Sequence, residues 1–292
     1  MRYKKSAGEI IFDVFNYAFI IFLMVITLYP FWYIIIGSFS DPTAVAQHRG
    51  LMFWIKGFNI ESYKAVFMNP NIWTGYLNTT YYLVVGTAVN LFMTVLGAYG
   101  LSRKKLYGKS AIMKIIVFTM FFSGGLIPTF LIIRSMGMVD TRWAMIVPGA
   151  ISTYNMIIMR TAFQSVPDSL EESARMDGAN DFTIMWKIIV PLSLPAMAVI
   201  ALYYAVGHWN SFFGALVYLR SRPLFPLQLI LREILISNST DTMMTGVVAD
   251  REPIGETIKY STIIVSTLPI LCLYPFLQRY FVKGVMIGSL KE

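Results

Sequence analysis

The chain has 292 residues, of which 56% are hydrophobic and only 14% are charged, whereas soluble domains carry about 25% charged residues. With a mean hydropathy of +0.60, it has too few charges to cover a surface facing water, which excludes a soluble domain and indicates a surface facing lipid. The single cysteine excludes an internal disulfide, and two histidines are too few for a histidine-rich metal site. The net charge of +8 then reports orientation and contact with membrane lipid rather than nucleic acid.

Six runs of apolar residues, uninterrupted by charge, are long enough to cross a hydrocarbon core of about 30 Å, which takes roughly 20 residues of helix. Elsewhere, charged residues recur too often for a further span. The sequence therefore predicts an all-α integral membrane protein with a single transmembrane domain at 1–292. The spans are placed at approximately 12–38, 73–102, 113–134, 143–163, 193–219 and 259–281.

Basic residues near the ends of these runs indicate the orientation of the chain, because Lys and Arg concentrate on the cytoplasmic side of a membrane. Arg2, Lys4 and Lys5 place the N-terminus in the cytoplasm, and six spans return the C-terminus to that side. The second connection, which this topology also makes cytoplasmic, carries four more basic residues: Arg103, Lys104, Lys105 and Lys109. On the opposite side lies a long external loop at 220–258.

None of the runs carries an internal charge, although proton relays, voltage sensors and ion-coupled pumps normally keep ionisable groups inside the membrane. This observation disfavours an ion-coupled secondary carrier, which is one alternative. A membrane-embedded enzyme is the other, and against it stand the missing metal cluster, acid–base pair and cofactor fingerprint. We therefore expect no catalytic residue, no bound metal and no enzymatic activity of this chain.

The connection between the fourth and fifth spans has the signals of two short helices. Asp168 and Glu171 have the spacing of a capping box, which predicts a helix start. Gly178 can take the left-handed conformation that ends a helix. Asn180 or Asp181 can then cap a second helix. The pattern predicts a short helix, a break and another short helix on the cytoplasmic side.

The first of these helices has the composition of a docking element. Leu170 and Ala174 lie four residues apart and share a face, while Glu171 and Glu172 can pair with basic groups on a partner. A helix this short does not fold alone. An acidic helix with a small apolar face is suited to a groove on another protein.

The same connection carries a motif at its full spacing: Glu172-Ser173-Ala174, then Gly178, Ile188 and Val190-Pro191. It resembles the EAA motif of the permeases of binding-protein-dependent ABC importers, from which it departs at Ser173 and Val190 by residues of similar size. Other segments resemble the smaller permease subunit of maltose importers, and most closely permeases for oligosaccharides or polysaccharide fragments. They are Asn78-Thr79, 98–103, 138–141, Trp209-Asn210 with Phe212, and 284–291.

This resemblance implies the type I ABC importer permease fold, with a cytoplasmic coupling region at 165–191 that docks on an ATPase subunit. The coupling residues it implies are Glu171, Glu172, Ser173, Ala174, Asp177, Gly178, Ile188 and Pro191. It further implies a carbohydrate importer in the bacterial inner membrane, composed of this chain, a second related permease, two ATPase subunits and an extracytoplasmic solute-binding protein. ATP and Mg²⁺ would bind to the ATPase subunits, and this chain would bind no cofactor.

The candidate substrate path is a polar and aromatic group, because carbohydrates favour aromatic faces beside hydrogen-bonding groups. It comprises Asn78 in the second span and His208, Trp209, Asn210 and Phe213 in the fifth. The alternative is that the aromatic rings pack and the amides bond between helices, as is common in membranes. The resemblance also implies that the solute-binding protein docks on the external loop and that the tail at 283–292 reaches the ATPase.

Overall fold

A computed structural model of the chain describes residues 6–104, 106–244 and 255–272. Within these ranges the secondary structure is helical, and the only β-type pairing is an isolated bridge between Ser40 and Phe58. The prediction of an all-α chain is confirmed for these residues. The α-helices are α1 (Ala7–Phe39), α2 (Pro42–Gln47), α3 (Glu61–Met68), α4 (Pro70–Ser102), α5 (Lys109–Phe121), α6 (Leu126–Ser135), α7 (Trp143–Ile146), α8 (Thr153–Gln164), α9 (Asp168–Met176), α10 (Asp181–Ile184), α11 (Val190–Leu192), α12 (Leu194–Trp209), α13 (Phe213–Tyr218), α14 (Leu227–Met244) and α15 (255–272).

The described residues divide into two compact units, of which the first comprises 6–69, 231–244 and 255–268 and the second comprises 70–104, 106–230 and 269–272. In the first unit, α1 has 33 residues and is about 50 Å long at 1.5 Å per residue, which exceeds the thickness of a hydrocarbon core. Only 6% of its most apolar 18-residue window is buried. The apolar side chains of α1 therefore face outwards, as expected of a span in contact with lipid.

The last turns of α1 pack into the small core of the first unit. Ile36, Val45 and Met52 are buried together, and Tyr260 of α15 is partly buried against them. Gly37 leaves room for this ring, because a Cβ atom at that position would lie 2.7 Å from Tyr260 Cδ2. A larger residue at this point of α1 would therefore displace α15.

In the second unit, α4 is the central helix, and α8 and α12 pack against it. Polar groups in this core are paired between helices: the hydroxyls of Thr94 and Tyr204 are 2.8 Å apart, and the backbone N–H of Ser152 donates to Tyr204 Oη at 2.9 Å. The apolar core consists of Val95, Ala98, Tyr99, Leu101, Met156, Met159, Phe163, Ile184, Met185, Ile189, Val190 and Ile200. The coupling region thus contributes directly to the core, through the π-helical turn Met185–Ile189 between α10 and α11.

Three predicted spans are not single straight helices, which corrects the sequence analysis. The third divides into α5 and α6, bent by 112° at Gly124 and Gly125, and Gly125 has the positive φ of 83° that favours glycine. The fourth divides into α7 and α8 on either side of Pro148 and Gly149. The fifth, predicted at 193–219, divides into α12 and α13 at 210–212, and a bend of 85° at Ser193 separates its start from α11. Hydropathy does not register these breaks, because the residues that make them are themselves apolar or small.

Two described helices, α1 and α4, are each long and apolar enough to cross a membrane, and the two bent pairs raise that number to four. The sixth predicted span is described as part of α15 up to residue 272. Its remainder lies outside the described residues, as do the N-terminal basic group and the tail at 283–292.

The predicted external loop at 220–258 contains a helix that the sequence analysis did not anticipate. A 3₁₀ turn at Arg222–Leu224 precedes α14, which is 18 residues long. Leu227, Leu229 and Ile230 in its first turn are buried. Because the segment carries mixed charge, it was predicted to be a solvated loop, although the apolar residues at the start of α14 pack into the second unit. Residues 245–254 lie outside the described part of the chain.

Candidate functional site

The start of α9 differs from the form predicted from the sequence. The helix begins at Asp168, directly after Pro167, and no side chain caps its first turn. The predicted capping box is therefore not formed. The acidic side chains of this turn pair with basic residues from the α4–α5 connection instead.

A chain of ion pairs links α9 to the residues that follow α4. Arg103 pairs with Glu171, and Glu171 also accepts a hydrogen bond of 2.9 Å from Arg175 Nη2 one turn later. Arg175 pairs in turn with Asp181 at the start of α10. The network therefore ties both short helices of the coupling region to the end of α4.

Two ion pairs join the α4–α5 connection to α9, and they differ sharply in their exposure to water. The side chains of Arg103 and Glu171 are 19% and 16% exposed, whereas those of Lys104 and Asp168, which form a second pair, are 79% and 53% exposed. The hydrogen bond and the charge of Asp168 raise the pKa of Lys104. Because solvent screens exposed pairs, the Arg103–Glu171 pair is the one that fixes α9.

These contacts place the α4–α5 connection and the α8–α12 connection at the same end of the second unit. The predicted topology requires this arrangement, since it assigns both connections to one side of the membrane.

The end of α9 has the predicted form. Gly178 has a φ of +81°, and the N–H groups of Gly178 and Ala179 donate to the carbonyls of Arg175 (3.0 Å) and Ala174 (2.9 Å), as in a Schellman motif. No atom lies within 4 Å of the position of a Cβ at Gly178, so conformation rather than crowding requires glycine there. Asn180 accepts a hydrogen bond of 2.8 Å from a backbone N–H of α10, which confirms the predicted second cap.

The two faces of α9 have different environments. Ala174 packs on the core of the second unit, and Glu171 is held on the same side by its ion pairs. Glu172, Ser173 and Met176 lie on the opposite face and are exposed, Met176 to 88%. The outward face, defined by these three residues, is the surface that α9 offers to another molecule.

The residues of α9 that face outwards therefore differ from those predicted from the sequence. Glu171 and Ala174 face this chain's own core instead of outwards, while Leu170 is 42% exposed. Hydrophobic periodicity could not distinguish these faces, since α9 is too short for its pattern to identify the side that packs. The other coupling residues are placed as follows: Asp177, Gly178 and Pro191 are exposed, and Ile188 is half-buried.

The predicted substrate path does not form a single cluster. His208 Nε2 lies 2.7 Å from Asn90 Oδ1, and Asn90 donates to the carbonyl of Gly149 at 2.5 Å. The imidazole fills the space beside Gly86, where a Cβ would lie 2.4 Å from Nε2. These contacts join α12, α4 and the break between α7 and α8. Such hydrogen bonds between helices are what the alternative to a substrate path predicts for these residues.

Asn78 lies apart from His208 and is 3% exposed. Its amide nitrogen donates to the carbonyls of Pro223 (2.6 Å) and Phe225 (3.1 Å), and its oxygen accepts from Arg142 (3.2 Å). All of its hydrogen-bonding groups are thereby used within the chain. Asn78 holds the 3₁₀ turn against α4, which is a structural role.

The remaining path residues also have partners in the chain. Trp209 is buried, and its ring centroid lies 6.3 Å from that of Tyr76. Asn210 donates to the carbonyl of Val206 in its own helix at 3.0 Å. Phe213 is 54% exposed, and Asn210 is also exposed.

Asp140, a residue outside the predicted site, anchors the segment after α13. Its carboxylate accepts hydrogen bonds from the N–H groups of Arg220 and Ser221, both at 2.8 Å, and from the Ser221 hydroxyl at 2.6 Å. The Ser221 hydroxyl and these N–H groups lower the pKa of Asp140. Its φ of 60° is one that Asp tolerates better than most residues. Neither this residue nor Arg103 was predicted as a site residue, because their partners are distant in sequence.

Comparison with known proteins agrees with this architecture. The model of the family described as "binding-protein-dependent transport system inner membrane component" matches residues 103–287. The polygalacturonan/rhamnogalacturonan transport system permease protein YtcP of Bacillus subtilis is 42% identical over 96% of this chain and 98% of its own length. Protein LplC of the same organism is also 42% identical, over 99% of this chain and 97% of its own.

A solved structure has the same fold. The crystal structure of a bacterial ABC transporter involved in the import of the acidic polysaccharide alginate contains a chain that matches with a TM-score of 0.87. The two chains are 35% identical, and the match covers 96% of this chain and 99% of that one. The fold and these matches thus define a membrane-embedded permease subunit of an ABC importer. The chain belongs to the family of inner membrane components of binding-protein-dependent transport systems, and the predicted resemblance to carbohydrate-uptake permeases is confirmed.

Proposed function

We propose that the chain forms one half of the membrane pathway of an importer for an oligosaccharide released from a complex polysaccharide. The observation that carries this proposal is the EAA-type segment, folded as an exposed helix that ion pairs hold on the core of the second unit. Relatives named for polygalacturonan, rhamnogalacturonan and alginate transport support the choice of substrate class.

The same proposal includes the orientation of the chain in the membrane and the other subunits of the transporter. Six spans would place both termini, α9 and the basic α4–α5 connection in the cytoplasm. A second related permease completes the pathway, two ATPase subunits bind ATP and Mg²⁺, and an extracytoplasmic protein delivers the sugar. This chain itself binds no cofactor. The family description, which names dependence on a binding protein, supports the last of these partners.

In this proposal the outward face of α9 sits in a cleft of the ATPase, and Glu172 pairs with a basic group there. Movement of α9 is transmitted to the rest of the chain along two routes. Through Arg103 and Glu171 it reaches the end of α4, and through Gly178, α10 and the π-helical turn it reaches the 85° bend before α12. Because α12 packs on α4, both routes converge on the core of the second unit.

The proposal is tested by ATP hydrolysis in the assembled transporter, purified with its partner subunits and reconstituted in liposomes. We expect the binding protein loaded with an oligogalacturonide mixture to stimulate hydrolysis severalfold, and the binding protein with free galacturonic acid to give no stimulation. Glu172→Lys is expected to abolish the stimulation, while the same reversal at exposed Glu61 in the α3 helix leaves it intact. Stimulation by the monosaccharide alone would contradict the substrate class, and full stimulation of the Glu172→Lys complex would contradict the coupling role.

A further inference from the structure

A groove of about 750 Å³ lies beside α5 in the second unit. Its lining residues are Lys109, Ser110, Met113, Lys114, Val117, Phe118 and Phe121 of α5, with Arg160 of α8. The α5 residues recur at the spacing of one helix face. They extend along about 18 Å at 1.5 Å per residue.

Polar and apolar residues are separated along this groove. Lys109 and Lys114 lie in the first half of α5, and Arg160 of α8 lines the same groove, while Phe118 and Phe121 lie in the last turns of α5 and are 55% and 79% exposed. A ligand that fills the groove would therefore have a polar head at one end and an apolar body at the other.

The charge of the cationic end is not balanced within the groove. Lys109 Nζ donates to the carbonyls of Ser102 and Arg103, both at 3.2 Å, and Arg160 Nε donates to the carbonyl of Leu101 at 3.0 Å. These acceptors are neutral. Among the eight lining residues, all of which the structure describes, none is acidic. An anionic group would complement the three cations.

We propose that this groove binds an anionic glycerophospholipid of the cytoplasmic leaflet, with its phosphate at Lys109, Lys114 and Arg160 and an acyl chain along Val117, Phe118 and Phe121. Basic pockets beside membrane helices are suited to such headgroups, and the long stems of lysine let the ammonium reach the interface while the methylenes stay apolar. A helix of the second permease is the other occupant with an apolar surface, but an apolar helix offers no negative charge to the cationic end.

Lys114 provides the clean variant, because it is exposed, whereas Lys109 and Arg160 also hold backbone carbonyls. We expect the full-length chain, purified in detergent and stripped of lipid, to bind phosphatidylglycerol at least about tenfold more tightly than phosphatidylethanolamine in native mass spectrometry. Lys114→Gln should weaken binding of phosphatidylglycerol about fivefold and Lys114→Glu about 30-fold. These changes correspond to about 1 kcal/mol of binding free energy for each unit of charge removed or reversed. Lys187→Gln and Lys187→Glu, at an exposed lysine outside the groove, serve as matched controls and should change it by less than about twofold.

Three results would overturn the proposal. They are equal affinity for the two lipids, insensitivity to Lys114→Glu, and full competition by glycerol 3-phosphate, which would indicate a soluble anion instead of a lipid. A benzophenone-bearing phospholipid added to the assembled transporter provides the second measurement. Its label should map to α5, whereas label confined to the second permease would mean that the partner covers the groove. None of these results depends on the docking of α9, so the two proposals can fail separately.

Discussion

Gly178→Val is expected to reduce the sugar-stimulated ATP hydrolysis of the assembled transporter at least about tenfold, while the protein remains inserted and of normal abundance. The positive φ of 81° at Gly178 costs a side-chain-bearing residue roughly 1–2 kcal/mol, and a β-branched residue more. A loss of 1.4 kcal/mol corresponds to a tenfold change in population. Since α9 is too short to be stable without its contacts to the rest of the chain, the variant would present its outward face in the required position in only a small fraction of molecules.

Gly178→Asn is the matched control for this prediction. Asn tolerates the left-handed conformation, and no atom lies close enough to the Cβ position to clash with the new side chain. We expect hydrolysis by this variant to stay within about threefold of the native value. If the two variants lost activity equally, the backbone conformation would not be the reason that glycine stands here.

The second large effect is expected at the shielded ion pair. Arg103→Glu should place two carboxylates together at a position where both side chains are less than one-fifth exposed. Breaking a fully buried pair costs about 3–5 kcal/mol, and partial exposure lowers this to about 2 kcal/mol. The amount of ATPase that co-purifies with the tagged permease should therefore fall about 10- to 30-fold, because α9 loses its attachment to the end of α4.

Two comparisons make this prediction specific. The double variant Arg103→Glu/Glu171→Arg restores opposite charges and should recover part of the ATPase, although not all of it, because Arg175 would then face the new arginine. Lys104→Glu reverses a charge in the exposed neighbouring pair and should reduce recovery by less than about threefold. Equal losses at Arg103 and Lys104 would mean that net charge, and not the shielded pair, determines docking.

The local parts of this site could be predicted from the sequence, and the long-range parts could not. The left-handed glycine at the end of α9 and the Asn180 cap follow from rules that involve a few neighbouring residues. Glu171 pairs with Arg175 at the helical spacing of four residues, but its other partner, Arg103, lies 68 residues away, and nothing in the spacing of charges indicates that contact. The capping box did not form because Asp168 is the first residue of the helix, so that Pro167, which has no side-chain acceptor, occupies the cap position.

The fold shows the same division. Charge-free runs correctly located α1 and α4, because a long apolar helix is defined by composition alone. The bends at Gly125 and Ser193 lie within apolar stretches and leave no trace in hydropathy. The helix α14 was missed because Pro, Gly and mixed charge around it are typical of a loop. The amide of Asn78 was assigned to a substrate path, although in this chain it holds the 3₁₀ turn at Arg222–Leu224 against α4.

The most direct test of the central claim is photochemical cross-linking from the outward face of α9 in membranes that contain the whole transporter. A benzophenone-bearing amino acid in place of Met176, which is 88% exposed, should form its main cross-link with the ATPase subunit. The same probe in place of Trp54, which is 80% exposed in the connection before α3, should form none with it. A cross-link from position 176 to the solute-binding protein, or to no ATPase at all, would contradict the account.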